Sequence, residues 1–182
     1  KMLENIRNND PSTVVFKVKE HVFADINSVV FDAIVDALAV NKVCQAIYIQ
    51  NLSSAIFDDQ VRHLIQVLKK KKIWCVNIGE NYEVSTRMWE EFCRRLPETF
   101  VTHLYVSEHV IPLALKNLMR EHIRANRKKH QLHCAYKNLD VIERCTNMWW
   151  NPINGVKELK PYVPPPPPEP EPVAESEKKL KM

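Results

Sequence analysis

The sequence predicts an α/β chain of parallel strands joined by crossover helices, stacked as a repeat solenoid with strands on the concave face and helices on the convex face. Two observations carry this. A strand signature recurs four times on the template L-x-x-L-x-L-x-x-N: Thr13/Phe16/Val18/His21, Cys44/Ile47/Ile49/Leu52, Ile73/Val76/Ile78/Asn81 and Val101/Leu104/Val106/His109. The steps from Phe16 to Ile47, Val76 and Leu104 are 31, 29 and 28 residues, a near-constant period that marks stacked units. The second observation is an amphipathic helical pattern after every signature.

Taken in order, the first helix follows Asp25 and Ser28 and carries Val30, Ile34, Ala37 and Leu38 at helical spacing. The second opens on Asp58-Asp59, two acids suited to a helix N-terminus, and continues through Val61, Leu64, Ile65 and Leu68. Ser85 can cap the third, whose apolar residues are Trp89, Phe92, Cys93 and Leu96, with Pro97 just past its end. Pro112 opens the fourth and longest, with Leu115, Leu118, Met119 and Ile123. Strand and helix alternating at constant spacing imply parallel strands, because only a crossover returns the chain in the same direction. An ordinary α/β sandwich is the competing arrangement.

The segment Ala37-Leu38-x-x-Asn41 running into Cys44-x-x-Ile47-x-Ile49, with Asn81 at the template asparagine, resembles the ribonuclease-inhibitor-like leucine-rich repeat family. The resemblance covers roughly residues 11 to 125 and is degenerate, since Ile, Val or Phe mostly replace leucine. It implies a non-catalytic protein-binding module that engages a protein partner through its concave strands. Three regions follow: repeats over 1–125, a C-terminal capping segment over 126–163, and a Pro/Glu/Lys-rich disordered tail over 164–182.

Alternation along each strand assigns the concave face. Lys17, Lys19, Tyr48, Gln50, Asn77, Glu80, Tyr105, Ser107 and Glu108 form the expected partner-binding surface, with a solvated polar face as the plain alternative. The tyrosines combine a rigid apolar body with a hydrogen-bonding tip, which suits protein recognition.

Composition bounds the rest. Of 182 residues 45% are hydrophobic and 26% charged, ordinary for a globular chain. Only two glycines occur, so no glycine-rich phosphate loop is present. Neither a cofactor nor a membrane span is expected, and enzymatic activity is not. Five widely spaced cysteines read as small buried hydrophobes of an intracellular protein, cytoplasmic or nuclear. Because the chain starts at Lys1, a longer precursor is expected.

The net charge of +4 is concentrated between Lys116 and His130, where six basic residues face Glu121 alone. Lys116, Arg120, Arg124 and Lys128 share one helix face, with Arg127 beside them. This stripe is either a solvated face or a contact for an acidic protein or nucleic acid. Lys69 to Lys72 add a second basic spot at the end of an earlier helix. His130, His133, Cys134 and Cys145 are a weak zinc candidate, because no C-x-x-C accompanies them.

Residues 138–144 read as a short helix or a final partial repeat. Trp149 and Trp150 read as an aromatic cap over the open end of the stack, or as an exposed recognition patch. From Pro164 five prolines precede alternating Glu-Pro, giving extended polyproline. That tail is a spacer or a docking segment, and it could tether the module as a structural component of a larger assembly.

Overall fold

A computed structural model describes residues 1–18, 26–106, 111–130 and 139–145. Among them lie four strands: β1 (Val15–Lys17), β2 (Ala46–Tyr48), β3 (Cys75–Asn77) and β4 (His103–Tyr105). The helices are α1 (Met2–Arg7), α2 (Ser28–Val40), α3 (Asp58–Lys70), α4 (Thr86–Arg95), α5 (Leu113–Lys129) and α6 (Leu139–Cys145).

The sheet is parallel and ordered β1-β2-β3-β4, so each strand pairs with its sequence neighbours. Phe16, Ile47, Val76 and Leu104 share one rung of the ladder, the same four positions that align the repeats in sequence. The expected α/β architecture with a parallel sheet is therefore present, and the repeat frames are the hydrogen-bonding register.

One sheet face and the helices α2 to α5 form a continuous apolar core. Phe16, Val18, Ile47, Ile49, Val76, Ile78, Leu104 and Val106 meet Phe31, Ile34, Leu64, Leu68, Trp89, Phe92, Met119 and Ile123. Near-complete removal of such side chains from water is the dominant stabilising term, roughly 1.5–3 kcal/mol for each large one.

Buried asparagines hold the turns between repeats. The Asn81 amide donates to the carbonyls of Ile49 (3.0 Å), Ile78 (2.9 Å) and Gly79 (3.2 Å), while its Oδ1 accepts from Leu52 N–H (2.9 Å). Asn41 does the same work after α2, donating to Ile6 O and accepting from Val43 and Cys44 N–H. Asn126 donates to Leu96 O and Val101 O. Each removes several backbone groups from the unsatisfied state that burial would otherwise impose.

Helix boundaries follow local chemistry. Ser85 caps α4 by accepting from Met88 N–H at 3.1 Å, and it is itself held by Asp58 of the preceding repeat. At α2 the cap is Asn27, which accepts from Val30 N–H at 2.9 Å, and Ser28 is the first helical residue. Asparagine is as good an N-cap as serine, and here it stands one residue ahead of the first helical position.

Candidate functional site

The opposite face of the sheet carries the candidate surface, and its makeup is mixed. Val15, Ala46 and Cys75 point there from the first position of three strands, and Lys17, Tyr48, Asn77 and Tyr105 from the third. Val15, Ala46, Cys75 and Tyr105 form a small apolar cluster with Val141 and Cys145 of α6, flanked by Val14, Tyr48 and Trp74. Thus α6 lies across β1, β2 and β3 and covers part of the face that the repeat pattern assigns to a partner.

Polar contacts fix that cover. The Cys145 thiol donates to Ile47 O at 3.2 Å, and the Asn77 amide donates to Cys145 O at 3.1 Å, satisfying a helix-terminal carbonyl. Asn77 also donates to Gln50 Oε1 at 3.2 Å, which accepts from the Tyr48 hydroxyl at 2.9 Å. Lys17 Nζ lies 5.6 Å from the centre of the Tyr48 ring, within cation–π range. A polar strip thereby runs from Lys17 through Tyr48 and Gln50 to Asn77, along the margin of the helix.

Exposure sorts the expected residues. Lys17, Tyr48, Gln50 and Glu80 are half-buried and reach solvent. Asn77 and Tyr105 are 3% and 2% exposed, which places them in the interior of this face rather than on an open surface. Burial on both faces is the reason, and the sequence carries a sign of it: Val15, Ala46 and Cys75 put apolar residues where a solvated face would alternate to polar. Lys19, Ser107 and Glu108 lie outside the described residues, as do Trp149, Trp150 and the proline-rich tail.

His103 on β4 shares this face and was not singled out by the pattern. It is fully buried, stacks edge-on against Trp74 at 5.3 Å, and its Nδ1 meets the Thr102 hydroxyl at 3.1 Å. Its Nε2 has no partner among the described residues. Burial, reinforced by the Arg127 guanidinium, lowers its pKa to about 3, so the ring is neutral.

The basic stripe on α5 is interrupted. Lys116 is only 9% exposed, and Arg127 turns inward to donate from Nε to Thr102 O at 2.8 Å. Arg120 is half-buried, donating to Asn117 at 2.8 Å, and of the stripe Arg124 and Lys128 are exposed, with Lys129 beside them. Lys116 falls on the buried face with Met119, Ile123 and Asn126, and each four-residue step turns about 40° further around the helix, so the later charges drift away from it into solvent.

The four zinc candidates are not drawn together where they can be seen. His130 packs on the Phe100 ring at 4.9 Å with Nε2 3.2 Å from Thr99 O, whereas Cys145 sits under the sheet. His133 and Cys134 lie outside the described residues. Among those described, no group of three or more His, Cys, Asp or Glu is placed to hold a metal. Burial pushes the Cys44 thiol up to about 12 and that of Cys93 up to about 11, the opposite of an activated nucleophile. No helix among the described residues is long and apolar enough to cross a membrane.

No protein-family profile matches the sequence, and no curated protein matches it. Solved structures do resemble the fold. Actin-Binding Site 2 of leiomodin-1 superposes with a TM-score of 0.50 at 15% identity, covering 76% of this chain and 94% of that one. The tropomodulin C-terminal domain of Caenorhabditis elegans gives 0.46 at 10% identity over 73% and 95%. The first of these supports a leucine-rich-repeat-like fold, without selecting the ribonuclease-inhibitor subfamily.

Proposed function

We propose that this chain is a non-catalytic protein-binding module whose contact surface is the polar strip of Lys17, Tyr48 and Gln50, extended by Glu80. The observation that carries the reading is the half-exposed Tyr48. Its ring is fixed by Lys17 on one side and its hydroxyl by Gln50, so little rotamer entropy remains to be lost on contact. An ordered amphipathic side chain at the margin of an apolar patch is the usual makeup of an interface anchor. The similar fold in leiomodin-1 is an actin-binding site, which makes actin the first partner to try.

The test is co-sedimentation with actin filaments, followed by cross-linking mass spectrometry from native extract. Partner cross-links should fall on Lys17, and Tyr48→Ala should weaken binding about tenfold, the cost of truncating an anchor worth roughly 1.4 kcal/mol. Undiminished binding by Tyr48→Ala, or cross-links confined to the helix face, overturns the proposal.

A further inference from the structure

Lysines crowd one edge of the fold, where helices end and strands begin. A crevice of about 240 Å3 opens there between the ends of α2 and α3, lined by Asn41, Lys42, Lys70, Lys71 and Lys72 around an apolar floor that includes Leu38 and Ile73. Among the described residues no carboxylate lines it. The nearby acid Glu98 is already engaged, at 2.7 Å from Lys69 and 2.9 Å from Arg95.

The helix dipole explains part of this charge and not the rest. Lys69 and Lys70 occupy the last turn of α3, where cations offset the unsatisfied carbonyls, just as Asp58 and Asp59 occupy its first turn. Lys71 and Lys72 lie beyond the helix, and Lys42 comes from the adjacent repeat. Lys71 Nζ donates to Asn41 O at 3.1 Å, which ties one wall of the crevice to the other. Lys42, Lys70 and Lys72 are exposed, with no ion pair described for any of them.

We infer that this crevice binds a compact, phosphate-dense anion. Lysines from two repeats line it, an ammonium group offers donors and charge without an acceptor, and lysine is a habitual phosphate ligand. The volume falls below the roughly 300–1,000 Å3 of drug-sized sites, which suits a small polyphosphate or an inositol-phosphate headgroup better than an extended peptide. The site is separate from the Tyr48 strip and does not depend on it.

Titration calorimetry of the full chain with sodium tripolyphosphate tests the inference. Saturable binding is expected, weakening at least tenfold between 50 and 200 mM salt. The triple variant Lys42→Ala/Lys70→Ala/Lys72→Ala should lose at least tenfold in affinity while keeping a cooperative unfolding transition, since all three side chains are exposed and only Lys70 contributes a modest helix-end charge. Arg87→Ala/Arg124→Ala/Lys128→Ala removes equal charge elsewhere and should lose less than threefold. Equal losses in both variants, absence of binding, or equally tight binding of polyglutamate overturns the site. Flotation with vesicles containing phosphatidylinositol bisphosphate assigns the source: binding to vesicles and tripolyphosphate supports a headgroup, and binding to tripolyphosphate alone supports a free anion.

Discussion

The two faces of the sheet are built from the same four strands and held by different means. On the helix side every strand contributes a large apolar residue, and four helices bury it in one core. On the other side the rungs offer Val15, Ala46 and Cys75, then polar or aromatic residues, and a seven-residue helix closes over them. The first face resembles a domain interior. The second resembles an interface, with a small apolar centre and a polar margin. Parallel strands buried on both sides need not be buried equally, and this inequality separates what the fold rests on from what it can present.

Replacing Phe92 by alanine, on the core side, should give the largest loss, about 3–5 kcal/mol by denaturant unfolding, because a fully buried ring leaves a cavity. A loss below about 1 kcal/mol would remove the basis for ranking the faces. The second face should declare itself through pH. The folded-state pKa of His103 is depressed to about 3 from an ordinary 6.5, so the unfolded chain takes up the proton first. Its contribution is intact above pH 6.5 and declines as pH falls toward 3, by about 1.4 kcal/mol for each unit. His103→Phe should flatten that slope between pH 6.5 and 4, and an unchanged slope would place the sensitivity elsewhere.

Val141→Ala in α6 should cost less than Phe92→Ala, about 1–2 kcal/mol, while raising amide exchange at the end of the helix. A cost equal to that of Phe92→Ala would erase the distinction between core and cover. The smallest effect concerns the rim. Glu80 has a φ of 56°, where a side chain is strained, and Asn51 occupies the matching position of the previous repeat at 55°. Glu80→Gly should therefore be neutral to stabilising by about 0.5–1 kcal/mol, the relief of left-handed strain being partly offset by unfolded-state entropy.

The parallel sheet was legible because its rungs repeat as residues: Phe16, Ile47, Val76 and Leu104 mark the register directly. The Ser85 cap was legible too, being a local signal. The cover was not. Residues 138–144 could be read as a short helix, but its docking on β1 to β3 depends on contacts such as Cys145 to Ile47, which no local spacing encodes. The burial of Lys116 and the inward turn of Arg127 escaped for a related reason. Counting charges at four-residue spacing hid that Lys116 shares a face with Met119, Ile123 and Asn126, and the bond from Arg127 to Thr102 O is a long-range contact that no local spacing encodes. At the candidate site, Lys17, Tyr48 and Gln50 were named by alternation alone, and Asn77 and Tyr105 were named by the same rule but lie covered.

The reach of that cover bears on the order in which the protein assembles. Each strand finds its partner about 30 residues back in the chain, so the sheet can zip up step by step during synthesis. The bond from Cys145 to Ile47 spans 98 residues. Such a closure waits until the intervening sheet exists and carries a larger loop entropy than any step before it. A nascent chain paused before residue 139 would therefore display Val15, Ala46 and Cys75 to the ribosome exit and its chaperones, an exposure that ends when α6 docks.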